Sequence, residues 1–158
     1  MKRAIYLFLT LFLISCSKDD KSSENQTFLQ KYDGYGFVYE NDTGSETGSE
    51  YVFFSDSEYF LKYASVYGGD SECVLVREES VFDSEEGEGY NLSILTNEGD
   101  TLLIEIEYAY EDGEVEIDQL EYSINSQGDV MTYTLIVDSD TYTDTFYRTS
   151  ETYSDLCN

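Results

Sequence analysis

The chain has 158 residues, with 34 acidic against 8 basic side chains, a formal net charge of −26, and no His, Pro or Trp. Such a charge repels nucleic acid and anionic membrane surfaces, both of which recruit basic patches, so no nucleic-acid partner is expected. Without His there is no Ser-His or Cys-His nucleophile, no histidine-ligated metal and no imidazole general base. The acidity alone would suit a disordered chain. Against that, 16 Tyr, 9 Phe and regularly spaced Val, Ile and Leu provide a core for one folded domain.

Met1-Lys2-Arg3 is followed by the mainly apolar run Ala4–Ile14 and then Ser15-Cys16. A charged start, an apolar core of this length and a small residue before the cut make a secretion signal. The run is too short to span a bilayer, which takes about 20 residues. Leu13-Ile14-Ser15-Cys16 resembles the lipobox of bacterial lipoproteins. That resemblance implies a signal peptide over 1–15, lipidation of Cys16 and attachment to a membrane through acyl chains, of which stable anchoring needs more than one. Ser17–Asn25 contains no apolar residue, so 16–26 reads as the lipidated cysteine and a solvated tether. A short acidic segment directly after the cysteine resembles the signal that places some Gram-negative lipoproteins on the cell surface. Ser17 is unlike the Asp that marks retention at the inner membrane. The expected location is the outer membrane, with either face open.

The domain itself covers 27–158. Thr27–Tyr32 reads as one helical turn with Phe28, Leu29 and Tyr32 on one side, Asn25 available as a cap and Gly34 placed as a stop. From Tyr35 onward the pattern is β. Tyr35, Phe37 and Tyr39 alternate, a polar loop spans Asn41–Glu50, and Tyr51–Phe54 resumes the strand. Glu58–Tyr67 fits either period; its aromatic residues favour a strand. Gly68-Gly69-Asp70 turns the chain into a strand over Cys73–Glu78, and an acidic loop follows at Asp83–Gly89. Tyr90, Leu92 and Ile94 open a hairpin that turns at Asn97–Asp100, and Leu102–Tyr110 is the clearest amphipathic strand. Glu111-Asp112-Gly113 is a tight turn. Val115 and Ile117 then follow one phase and Leu120, Tyr122 and Ile124 the other, which predicts a bulge at Asp118-Gln119. Met131–Val137 and Thr141–Thr149 complete the series, and the tail carries Cys157.

The pattern predicts an all-β domain: a single antiparallel up-and-down meander of about eight strands, closed into a barrel, with a two-sheet β-sandwich as the alternative. Cys73 and Cys157 are an even pair in an exported chain, where a disulfide is expected, with two buried thiols as the alternative. On the chain-entropy model such a loop contributes up to ~4–5 kcal/mol. Lipobox, polar tether, short helix and β-meander with a late cysteine together resemble small lipocalin-like lipoproteins. Phe28-Leu29-x-x-Tyr32-Asp33-Gly34 resembles their entry to the first strand, and Phe53-Phe54-Ser55-Asp56 their second strand and turn. The Gly-x-Trp at which typical lipocalins begin is absent.

No phosphate-binding Gly-rich loop or nucleophile elbow is present, so no catalytic residue and no cofactor is expected. Carboxylate pairs are the one acid/base apparatus left, and 34 acids bring such pairs together on any fold. Asp138, Asp140 and Asp144 have a Ca²⁺-like spacing but lack the Gly and Glu of an EF-hand loop; a solvated turn is the expected reading, and no metal site is assigned. The Tyr excess is read as core or as the lining of a pocket. Two roles follow: a module binding a small apolar or aromatic ligand in the barrel, or a surface accessory protein with a filled core that contacts a protein or glycan. A carboxylate-dependent hydrolase is a distant third.

Overall fold

The computed structural model describes residues 26–42, 47–83 and 88–157, so the leader, Cys16, most of the tether and the centre of the acidic loop lie outside the described residues. Ten strands follow in order: β1 Gly36–Asp42, β2 Thr47–Phe54, β3 Leu61–Tyr67, β4 Asp70–Val76, β5 Glu79–Asp83, β6 Glu88–Glu98, β7 Thr101–Ala109, β8 Val115–Ile124, β9 Val130–Val137 and β10 Asp140–Thr149. Two one-turn helices, α1 Phe28–Lys31 and α2 Tyr153–Leu156, flank them. Thr27, not Asn25, caps α1: its hydroxyl accepts from the Gln30 N–H and the Gln30 side chain returns the bond. Glu58–Tyr67 resolves as a bend followed by β3, in line with its aromatic pattern.

All ten strands form one antiparallel sheet in the order β4-β3-β2-β1-β10-β9-β8-β7-β6-β5. The meander therefore does turn back on itself, with β10 pairing β1. The expected closed barrel is nevertheless not formed, because β4 and β5 are the two free edges and share no ladder. They are consecutive in the chain, joined only by Arg77-Glu78, a link without the turn residues of a hairpin. The side chains of that link point to other partners. Arg77 bonds Glu58 (2.7 Å) and Glu79 (3.2 Å), and the Glu78 carboxylate accepts from the Ile94 N–H (3.0 Å), which lies beyond the end of β5. The two-sheet alternative is not realised either, although the join is thin. β1 and β10 pair over three residues, Gly36–Val38 with Tyr147–Thr149, whereas β1 and β2 pair over seven.

The expected bulge in β8 is also absent. β8 pairs continuously, so Val115 and Ile117 lie on the outer face, exposed, and the register shift falls in β6 between Ile94 and Thr96. Directly paired residues share a face. The buried members Phe37, Val52, Leu61, Leu92, Ile104, Tyr122, Met131 and Phe146 therefore define the concave phase of each strand. Opposite walls meet across the interior at Tyr122 of β8. Its ring packs edge-on against Phe54 of β2 (centroids 5.6 Å apart, 81°), and its hydroxyl hydrogen-bonds that of Tyr63 on β3.

One end of this curled sheet is plugged. Phe28, Leu29 and Tyr32 of the α1 segment are buried among Phe54, Phe60, Leu61 and Leu102. The Leu29 N–H donates to Asn97 Oδ1 (3.0 Å), and Lys31 and Tyr32 both bond the Asp100 carboxylate. Burying each such aromatic or aliphatic side chain contributes ~1.5–3 kcal/mol.

The tail runs over the outside. Tyr153 of α2 packs on Phe53 (6.0 Å) with Lys62 above it (5.7 Å), and Phe53 in turn covers Gly36, where a Cβ would lie 2.5 Å from the ring. This explains why β2 carries aromatic residues on both faces. The expected Cys73–Cys157 disulfide is formed, with a Cα–Cα distance of 6.0 Å across 84 residues of sequence. It ties the free edge strand β4 to the segment that follows β10. Cys73→Ser should therefore lower stability by about 2–5 kcal/mol and make β4 the first site of limited proteolysis. Urea unfolding and mapping of the first cleavage check both outcomes.

Candidate functional site

The chain alternates between the two ends of the sheet at every turn. α1, residues 55–60, Arg77-Glu78 and the turns at Gly99 and Gly128 lie at the plugged end. The turns at Gly68-Gly69, Glu111–Gly113 and Asp138-Ser139 lie at the other. The described residues place no helix at that second end. On the concave phase there, Tyr67 and Tyr142 are 40% and 57% exposed, whereas Leu61 and Phe146 on the same strands nearer the plug are buried; Val74 and Val81, 48% and 43% exposed, lie on the two free edge strands. Among the described residues the interior is filled between α1 and Tyr122, and the concave surface toward the other end, the cup, is partly exposed.

The cup floor is aromatic. Tyr122 meets Tyr133 with centroids 5.3 Å apart, Tyr133 meets Phe146 at 6.3 Å, and Phe146 meets Tyr39 at 5.5 Å. Burial pushes the Tyr63 hydroxyl up to about 12 and that of Tyr122 well above its ordinary value. Tyr133 is also raised, first by burial and then by the neighbouring Tyr63 phenol and the Asp144, Asp118 and Glu50 carboxylates. These phenols stay protonated at neutral pH and act as hydrogen-bond groups rather than as bases. β1 and β10 diverge beyond Val38 and Tyr147, leaving a slot of about 500 Å³ lined by Val38, Tyr39, Glu40, Thr145 and Tyr147. The slot opens the wall beside Tyr39.

The rim is acidic. Register places Glu50, Glu72, Glu116, Asp118 and Asp144 on the concave phase toward the open end. Asp118 Oδ1 is buried without a hydrogen-bond partner among the described residues, and the Asp118 carboxyl is held above its usual range by burial, then by Glu116 and Asp138. Tyr108 opposite is raised by burial, then by Asp118 and Glu116. The described basic residues, Lys31, Lys62, Arg77 and Arg148, all lie at or next to the plugged end. Arg148 is stacked 3.7 Å over the Tyr35 ring and Lys31 is paired with Asp100.

A second cleft of about 500 Å³ sits at the plugged end, between the β4–β5 link and α1, lined by residues including Leu29, Glu58, Phe60, Arg77, Glu79 and Ile94. Its one cation, Arg77, is held by two carboxylates and covers the Tyr59 ring (5.6 Å). Glu79 is lowered first by its bond from Tyr90 and then by Arg77. These groups satisfy one another and mend the end of the unclosed seam.

Cys73 and Cys157 come together on the outer face, away from the cup, and Cys16 lies outside the described residues. Asp138 sits at a turn with φ 53°, while Asp140 and Asp144 fall on the concave phase of β10. Among the described residues no group of three potential ligands is placed to hold a metal. The Tyr63–Tyr122–Tyr133 constellation was not singled out from sequence. Its only signal there is shared phase: Tyr63 alternates with Leu61, Tyr122 with Leu120 and Ile124, and Tyr133 with Met131.

Tyr122→Phe leaves the buried Tyr63 hydroxyl without this partner and should cost about 1–3 kcal/mol; adding Tyr63→Phe should recover part of the loss, as read from urea midpoints. The raised Asp118 carboxyl has the opposite sign. Its penalty on the folded state is fully present at neutral pH and vanishes as pH falls through its raised value. Asp118→Asn should therefore be more stable than the parent at pH 7 by up to about 1 kcal/mol, with the advantage lost in acid. Compared with protein-family models, curated proteins and solved structures, the chain gives no match in any of the three.

Proposed function

We propose that the chain is a non-catalytic, membrane-anchored binding lipoprotein that holds a small ligand with an apolar or aromatic body in the cup at the open end of its β-domain. The observation that carries this reading is the partly exposed concave face toward the end opposite α1, where Tyr67 and Tyr142 are 40% and 57% exposed and Leu135 is half-buried among the described residues. Ligand sites are concave and mostly apolar, with a few convergent polar groups. The cup floor and its phenol hydroxyls have that character. The lipobox-like Leu13–Cys16 supports an acyl anchor at Cys16 and placement at the outer membrane. An acyl chain contributes ~0.8 kcal/mol per buried CH₂, which a domain this acidic does not replace by binding anionic lipid.

Two measurements test this reading. Cys16→Ala should shift the chain from the membrane fraction to the soluble or unprocessed one; retention in the membrane would contradict the anchor. A native mass spectrum of the full chain purified from its own envelope should show added mass that disappears on denaturation. A bare mass at every collision energy would contradict a resident ligand.

A further inference from the structure

The join between β1 and β10 leaves backbone hydrogen-bonding groups that the sheet does not use. The Arg148 N–H donates to the Asp129 carbonyl (2.9 Å), so the even-numbered residues of β10 turn their backbone groups to β9. Strand alternation then turns those of Thr141, Thr143 and Thr145 toward β1. Just ahead of β1, the Tyr35 carbonyl accepts from the Phe54 N–H (3.0 Å). The odd-numbered residues of β1 therefore face β2, and Glu40 and Asp42 face β10. The ladder between these two strands ends at Val38 and Tyr147, so it supplies none of these groups with a partner. Two strand edges thus face one another across the slot of about 500 Å³ lined by Val38, Tyr39, Glu40, Thr145 and Tyr147. Glu40, Thr143 and Thr145 are exposed, so the edges are reached from solvent.

An extended peptide is the ligand whose chemistry fits such an edge, because its own N–H and C=O groups recur with the same period and pair as an added strand. The outer edges of β4 and β5 each offer a single row of groups. The slot adds side walls to its row, and the walls select charge. Val38, Glu40, Thr145 and Tyr147 lie on the outer phase, opposite in phase to the buried Phe37 and Phe146. The Tyr147 ring is 62% exposed. Along the slot, 39–42 and 140–147 include Glu40, Asp42, Asp140 and Asp144 and no Lys or Arg. A basic side chain on the outer phase of an added strand would meet the Glu40 carboxylate and the face of Tyr147. The same charges repel an acidic strand, and a second copy of this chain, at −26, is repelled as a whole.

We propose that the slot takes up an extended basic segment of a partner protein as an added strand, with its backbone on Thr143 and Thr145 of β10 and its outward Lys or Arg side chains on Glu40 and Tyr147. This interaction surface is distinct from the cup floor and does not depend on a small ligand being held there.

The test is amide hydrogen exchange, read by NMR on the full chain in phosphatidylcholine nanodiscs at pH 7 and low salt. The probes are acetyl-Lys-Val-Lys-Val-Lys-Val-amide, its counterpart with Glu in place of Lys, and the Lys-Val peptide N-methylated throughout, which keeps its charge and loses its donors. The Lys-Val peptide should slow exchange at Thr143 and Thr145 at least about tenfold, while Asp144, whose N–H faces β9, changes little. The other two peptides should protect neither residue. Thr143→Pro removes a donor on the slot side and spares the bonds to β9, so it should abolish binding of the Lys-Val peptide. Glu40→Gln should weaken that binding at least about threefold. Should Thr143→Pro fail to fold, the N-methylated peptide still separates strand addition from charge attraction. Equal protection by the Glu-Val peptide overturns the basic partner. Equal binding of the N-methylated peptide, or binding that leaves Thr143 and Thr145 unprotected, overturns strand addition. No binding of the Lys-Val peptide overturns the proposal outright. Slow exchange at Thr143 and Thr145 without any peptide means that this chain or a second copy already covers the edge, and overturns it as well.

Discussion

A curled sheet holds its curvature only if something spans the space between its walls, and in this chain Tyr122 does so. Its ring reaches Phe54 and its hydroxyl reaches Tyr63, although three strands separate β8 from β2 in the sheet. With the walls set at that distance, α1 fits as a plug on one side, and its Phe28 packs on Tyr32 and Phe54. On the other side no comparable apolar residue crosses among the described strands. Toward that end the inward positions are mixed, with Glu50, Glu116, Asp118 and Asp144 set among Tyr67, Tyr108, Leu135 and Val137. Among the described residues, the filled half of the interior ends at this contact plane.

Much of the fold was legible because alternation reports which face a residue takes. Leu102–Tyr110, Met131–Val137 and the aromatic run ahead of Tyr67 each show a clear period of two, and each is a strand. The cysteine pair was legible for a different reason: with Cys16 read as a lipidation site, the two other cysteines have one pairing available. The misses are equally physical. β5 was not seen because Arg77-Glu78 carries no turn signal, so the chain changes strand without the glycine or asparagine that marks a hairpin. The bulge was placed in β8 because Val115 and Ile117 are apolar, yet they are exposed on the outer face and the irregularity lies in β6. Closure was expected because free edges are a liability. The structure handles β4 and β5 with a disulfide, a charged link and acidic side chains, which sequence periodicity does not encode. The cup was not legible at all, since alternation assigns faces and not the residue that faces them across an interior.

Charge and shape are linked in the same way. Carboxylates gathered on one concave surface repel one another, and the raised Asp118 shows that the fold bears that cost. The aromatic core and the disulfide strap lie on the opposite side of the Tyr122 plane and on the outer wall, where they stabilise the chain without filling the cup. The plug and disulfide on one hand and the concave carboxylates on the other therefore lie at different places in the fold. Substitutions in the plug should act mainly on folding.

The most direct test of the account is the accessibility of methyl groups to a neutral, soluble gadolinium chelate, read by NMR on the full chain. If the interior is divided at Tyr122, the methyls of Val74, Val81 and Leu135 should relax strongly, while those of Leu61, Leu102 and Ile104 should be unaffected. Uniformly protected methyls at both ends would mean a closed and filled interior, and the cup, with every reading built on it, would fall.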